Sequence, residues 1–274
     1  TTLINPQPQL TQLDLEQGAS TLRNIRLWDS QPLLATNRQL QQLRVYYRFS
    51  NAAVDRYRFV PDVANRQQVM ITARELDQAA LPKRSRTWLN RHFVFTHGYG
   101  FTLSPVNTRA PDGLPDYFIS DLGTSTRLEG SSELGITRED VKEAVPIGRA
   151  ALYFGMLPSP YALAPSKLKE LDYPVGDKNI YNHYLGSGGV PVGNPWQQLA
   201  AAMYLFEPRL LNTGSLTNNS KLLIRREVRQ RVRAIAPFLE VIGDPYLVST
   251  SVNSKDLDYE AKQNQYWIVE AYTS

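Results

Sequence analysis

Residues able to do chemistry are few and dispersed in this sequence. The histidines are His92, His97 and His183. His92 and His97 lie five apart, which on an extended segment points them to opposite faces. That spacing fits no metal-ligand motif, and H-E-x-x-H is absent. No metal site and no cofactor is therefore expected. His97 precedes Gly98-Tyr99-Gly100, where backbone freedom lets a loop approach a ligand. His97 is thus a candidate catalytic residue, against the simpler reading of a histidine hydrogen-bonded in a structural turn. This turn is expected to pack against Ser104-Pro105-Val106-Asn107 with Gly98 or Gly100 at positive φ. Tyr99 and Asn107 are the candidate ligand contacts there. Asp112 and Asp116 flank Gly113-Leu114-Pro115, and Asp121 follows. Two carboxylates at a suitable separation cleave glycosidic bonds, and 15 Tyr and 4 Trp offer rings on which sugars stack. Asp112 and Asp121 are the catalytic candidates of that reading; the competing one makes Asp112-Gly113 a plain turn.

Other patterns carry less. Gly186-Ser187-Gly188-Gly189 is glycine-rich, but no lysine follows until Lys221. A phosphate-cradling loop needs that lysine and a helix directly behind it, so a tight loop leading into the next helix is expected. Ser166-Lys167-Leu168-Lys169 matches S-x-x-K without its partner motifs and is read as chance. Lys221, Arg225, Arg226, Arg229, Arg231 and Arg233 oppose the single Glu227 on an expected helix. Such a face is solvated and internally paired, meets an acidic partner, or lies near anionic lipid. Arg225 and Arg229 are its candidate contacts, reaching solvent or acidic side chains while Ile224 and Val228 are buried. No recognition motif accompanies this helix, so nucleic acid is not an expected partner.

The elements that must position these residues can be read from periodicity and punctuation. The polar segment 1–22, with Pro6 and Pro8, reads as an extended arm held to the body by Leu13 and Leu15. Thr36 is placed to cap a helix running from Arg38 to Tyr47. Val54 to Val60 and Gln68 to Thr72 read as a hairpin around Asp62 and Asn65. A helical stretch from Thr87 to Arg91 leads into an extended Phe93 to Thr96. Tyr117 to Ile119 and Leu152 to Phe154 are expected strands, with a helix capped by Thr137 between them. Asn194-Pro195 opens a helix ending near Phe206, and a second helix is expected from Thr217 or Asn218 to Ala236. Tyr246 to Ser249 and Tyr266 to Val269 are the final strands.

Composition bounds the rest. The 274 residues are 42% hydrophobic and 20% charged, enough for a packed core. The net charge of +4 is not a nucleic-acid footprint, and the absence of cysteine excludes disulfides and thiolate sites. The longest apolar run, Leu199 to Phe206, is far below the length of a membrane span. Thr1 opens the chain without a signal segment, which suggests an excised portion of a longer polypeptide. The expected fold class is α+β, one compact domain over 23–274 with mixed or antiparallel strands and a helical pair near 194–236. Two packed subdomains, 23–193 and 194–274, are the alternative.

Several stretches taken in order carry a family resemblance. They include Asn24 to Asp29, Arg38 to Tyr47, Arg66 to Met70, Thr87-Trp88-Leu89-Asn90 and Thr96-His97-Gly98-Tyr99-Gly100. Asp112 to Pro115, Gly186 to Pro191, Arg231 to Leu239, Asp244-Pro245-Tyr246 and Tyr266-Trp267-Ile268 continue the series. The chain resembles the bacterial Uncharacterised Protein Family zero-one-eight-two over about nine-tenths of its length. The resemblance implies a large polytopic membrane protein, of which this chain is the first part of the soluble extracytoplasmic portion. It implies no activity and transfers no catalytic residue. The polar stretch between Tyr246 and Tyr266 departs from the family pattern and reads as an elaborated hairpin. The expected function is an envelope module at the cell membrane that binds a partner or ligand, with the remainder of its own protein as one partner and anionic lipid or an envelope component as another. An envelope enzyme acting on a glycan or lipid-linked substrate through carboxylates, and an accessory domain of a transporter, are the alternatives.

Overall fold

The computed structural model describes residues 11–22, 24–59, 66–122, 134–250 and 264–273. Two short helices, α1 (Gln12–Gln17) and α2 (Ala19–Leu22), lead in. The described part of the expected arm is therefore helical, as its run of good helix formers favours. Leu13 is 61% exposed, so it is not buried against the body as expected. Residues 1–10 lie outside the described residues, as does the side chain of Leu15.

Helix α3 (Ser30–Leu40) starts a turn and a half before the expected cap. Asp29 accepts from the Ser30 amide, and Pro32 sits in the first turn, where its missing N–H costs nothing. Thr36 donates its hydroxyl to the Pro32 carbonyl, one turn back, so it belongs to the helix interior. The helix closes at Gln41, and Leu43 takes a φ of 62° before the chain turns into a strand. The run to Tyr47 is thus a turn and not helix.

Strands β1 (Tyr47–Tyr57) and β2 (Gln67–Leu76) form the expected antiparallel hairpin. Val60, Asp62 and Asn65 of its connection lie outside the described residues. Short β3 (Gly98–Tyr99) follows, then β4 (Phe101–Pro105), β5 (Ile119–Leu122) and β6 (Leu134–Ile136). Five strands make one antiparallel sheet in the order β1-β2-β4-β5-β6. Strand β2 is covered on both faces, so its residues from Val69 to Leu76 are all buried. The two-residue period sorts them. Met70, Thr72 and Arg74 meet α3 and its flanks, where Asn37 donates to both Thr72 and Thr102. Val69, Ile71 and Ala73 meet the main core with Phe101, Leu103, Phe118 and Ile136.

The stretch Phe93 to Thr96 is not extended. A wide helical turn over Asn90–Val94 closes with the Phe95 amide on the Asn90 carbonyl. The Gln78 amide donates to the Arg91 and Phe95 carbonyls, satisfying acceptors that such a turn leaves open. Helix α4 (Glu139–Ala144) lacks its expected cap, because Thr137 donates its hydroxyl to Tyr117. Next come β7 (Ala151–Leu152), paired with β3, then β8 (Ala162–Ala164), β9 (Glu170–Val175), β10 (Lys178–Asn182) and β11 (Val190–Pro191). Helix α5 (Pro195–Leu205) carries the Asn194–Gln197 capping box and ends at Phe206 in the left-handed region. Short α6 (Arg209–Asn212) pairs with it.

The long helix expected over 217–236 is broken. Strand β12 (Lys221–Leu223) sits between β11 and β8, which buries Leu222 and Leu223. Arg225 takes a φ of 51°, Arg226 turns inward, and only α7 (Val228–Ile235) is helical. Three inward carbonyls for the Arg226 guanidinium, described below, outweigh helical continuity there. Strands β13 (Leu239–Ser249) and β14 (Gln265–Thr273) form a two-stranded ribbon; residues 251–263, the expected elaboration, lie outside the described residues. The fold is α+β with antiparallel sheets, as expected. Among the described residues no helix is long and apolar enough to cross a membrane.

Candidate functional site

The site is assembled where β3, β7 and β9 meet. Strand β3 runs hard against β2, and a Cβ on Gly98 would lie 2.4 Å from the Arg74 carbonyl oxygen. Only glycine permits this approach, and Gly100 at φ +74° turns the chain into β4. The turn is therefore a strand edge fixed on β2, with the positive φ at Gly100. His97, held just before it, is 2% exposed. Its Nδ1 lies 2.8 Å from the Gly98 carbonyl, which can only accept, so Nδ1 carries a proton. Its Nε2 lies 3.6 Å from Asp172 Oδ1. Burial lowers the His97 pKa to about 4, against the pull of Asp172.

Strand β9 supplies two buried carboxyls, Glu170 and Asp172. Asp172 pairs with Arg149 at 3.2 Å and accepts from Asn182. Glu170 accepts from the hydroxyls of Thr96 and, at 2.9 Å, Tyr153. Burial pushes its pKa up to about 7, with both hydroxyls and the Arg149 charge pulling the other way. The fully buried Arg226 guanidinium donates to the carbonyls of Tyr153, Pro160 and Thr96. Burial lowers its pKa to about 10, so it stays charged at neutral pH. The Tyr153 ring stands 4.6 Å from that of His97 and 4.8 Å from that of Tyr184.

Tyr153 also floors a cleft of about 420 Å3. Its walls are Phe154, Tyr184, the 185–188 loop and Gln265 to Trp267 of β14. The Trp267 indole donates to the Phe154 carbonyl, locking one wall to the other. The loop folds onto Tyr184 so closely that a Cβ on Gly186 would lie 2.4 Å from its ring. Lys221 from β12 reaches this loop, where its ammonium donates to the Gly186 and Ser187 carbonyls. The glycine-rich stretch is thus a pinned cleft wall and its lysine is spent on carbonyls, an arrangement that does not cradle phosphate. No carboxylate, histidine, lysine or arginine lines the cleft among the described residues.

The expected site residues scatter. His97 and Tyr99 enter the cluster, with Tyr99 buried and its ring 4.7 Å from that of Tyr173. Asp112 accepts from the Leu114 amide in an exposed turn, the plain-turn reading. Asp121 accepts from Ser120 on β5, and no described contact joins Asp112 or Asp121 to His97. Asn107 donates to the Leu22 carbonyl. Arg225 is exposed, and Arg229 pairs with Asp244. With Arg226 buried, these cations do not share one helical face. Among the described residues no group of three or more His, Asp or Glu is placed to hold a metal ion. Sequence reasoning missed Glu170, Asp172, Arg149, Tyr153 and Arg226. The charged-apolar alternation Glu170-Leu171-Asp172-Tyr173 was the available signal.

Comparison with known proteins adds the lineage. A UPF0182 protein of Prochlorococcus marinus (strain MIT 9313) is 98% identical over 274 residues, which is 100% of this chain and 29% of that protein. A UPF0182 protein of Synechococcus sp. (strain CC9311) is 65% identical over 98% of the chain and 29% of its own length. One from Synechococcus elongatus is 48% identical over the whole chain, again 29% of its own length. The chain thus spans less than a third of the curated relatives it matches and is part of a larger protein. No solved structure matches it. The family described as Uncharacterised protein family (UPF0182) matches residues 1–274, and the chain belongs to that family.

Proposed function

We propose that this chain is a ligand-binding module of the larger UPF0182 protein, on the extracytoplasmic side of the cell membrane, and that the aromatic cleft receives a neutral, hydroxyl-bearing ring such as a glycan unit. The observation that carries this reading is the cleft lining. Tyr153, Phe154, Tyr184, Tyr266 and Trp267 present rings, Ser187 and Tyr266 add hydroxyls, and none of the lining side chains is charged among the described residues. Flat rings with a few polar groups suit a sugar face. The ionisable cluster lies behind Tyr153, where it stiffens the floor. Glu170, with a pKa near 7, has the acidity of a general acid, which keeps a glycan-cleaving enzyme as the second reading.

The test is titration of the purified 274-residue chain with neutral oligosaccharides, followed by tryptophan fluorescence and by product analysis. Saturable binding whose signal disappears in Trp267→Phe supports the module. Turnover abolished by Glu170→Gln would favour the enzyme, and no saturable binding of any neutral saccharide would remove both readings. The location is tested in the intact protein: a single cysteine at exposed Asp177 should react with a membrane-impermeant maleimide in whole cells.

A further inference from the structure

One region of the molecule has apolar side chains and no interior. Residues 229–244 contain no buried residue, and neither does 269–273. Together they form an outer lobe in which α7 lies against the outer half of β13, and among the described residues β13 pairs with β14 alone. Arg229, bonded to the Gly243 carbonyl and paired with Asp244, ties helix to ribbon. Ile235 is 70% exposed, Phe238 66% and Ile242 50%. Across the ribbon, Ile242 stands opposite Glu270 and Tyr272 opposite Glu240.

The inner half of the same ribbon behaves differently. Leu247 is buried, Ser249 exchanges hydrogen bonds with Tyr57, and Asn51 donates to the Pro245 carbonyl. Thus the ribbon is docked on β1 as far as Pro245, and beyond it α7 is the one element packed against it among the described residues. A two-stranded ribbon is marginal in water unless a further strand or a packing face completes it. Clustered exposed apolar side chains of this kind mark an interaction surface.

We propose that this lobe is half of an interface, and that its other half is the part of the same polypeptide outside this chain. The relatives set the occupant: each matches this chain over only 29% of its own length, so most of the protein lies outside the chain. The lobe also carries Thr273, the last described residue, so any polypeptide that follows begins beside it. Among the described residues the lobe supplies exposed apolar side chains and two unpaired strand edges, which suits added strands with apolar side chains over Ile242 and Phe238. This inference is independent of what the cleft binds.

The chain has no cysteine, which makes a labelling test direct. Ile242→Cys, Thr273→Cys and, as an exposed control, Asp177→Cys are made in the 274-residue chain and in a cysteine-free full-length protein. Maleimide reaction rates are then compared under native conditions. At the two lobe positions the expected result is labelling at least tenfold slower in the full-length protein than in the chain, with equal rates at Asp177→Cys. Equal lobe rates in both proteins overturn the proposal. So does slow labelling in the 274-residue chain that speeds up on dilution, because a second copy is then the occupant. Thr273→Cys keeps the test open if Ile242→Cys fails to fold.

Discussion

The body around His97 and the lobe beyond Val228 invert each other's chemistry. In the body even charges are enclosed: Arg74, Glu75, Glu170, Asp172 and Arg226 are all buried, each with hydrogen-bond partners. In the lobe even isoleucine and phenylalanine face water. A buried guanidinium persists only where the surrounding backbone is fixed well enough to supply its acceptors. An exposed apolar face persists only where something else covers it or where it is tolerated at a cost. The body therefore has an enclosed interior that can hold a preorganised cleft, and the lobe, on the proposal above, is completed by the rest of the polypeptide.

The sharpest way to break this contrast is to remove one buried cation from the body. Arg226→Ala leaves three interior carbonyls without their donor and opens a cavity, and should cost about 4 kcal/mol by urea unfolding. A loss below about 1 kcal/mol would mean that the interior is wet and the body not closed. Gly98→Ala comes next, because its Cβ would press on the β2 backbone. The expected loss is about 3 kcal/mol, and a neutral result would show that β3 can move off β2.

Titration sharpens the comparison further. Glu170 has its folded pKa raised to about 7 from an unfolded 4.5, so its stabilising contribution is full below pH 4.5 and is lost as pH rises through 7. His97 runs the other way. Its folded pKa is lowered to about 4 from 6.5, so its contribution is present above pH 6.5 and is lost as pH falls through 4. Between pH 4.5 and 6.5 the two slopes oppose each other. Glu170→Gln removes one of them, and its stability relative to the parent should rise by about 2–3 kcal/mol from pH 4.5 to pH 8. A pH-independent difference would place Glu170 in contact with solvent. The smallest effect belongs to the lobe: Arg229→Ala breaks a half-exposed pair and should cost no more than about 1 kcal/mol in the 274-residue chain.

The sequence made some of this legible. The β1–β2 hairpin follows from alternation, and α5 from Asn194-Pro195 with Gln197 three residues after the cap; both are local signals. The break at Arg225 was invisible because Ile224, Val228, Val232 and Ile235 keep helical spacing, while the decisive forces are long-range: the β8 partner of Leu222 and the carbonyls around Arg226. Helix α3 was misplaced because Thr36 looks like a cap, whereas Asp29 had the earlier claim. In the site, the glycines around Tyr99 pointed to His97, but Glu170 and Asp172 resemble surface charges until β9 is known to be buried. Asp112-Gly113, which the sequence offers either as a carboxylate site or as a plain turn, forms the turn.

Hydrogen exchange on the 274-residue chain tests the contrast between closed body and open lobe most directly. The account predicts slow exchange for the amides of β2, β4 and β9, at rates set by global unfolding, and fast exchange for α7, the outer half of β13 and residues 269–273. Lobe amides protected as strongly as those of β2 would contradict it.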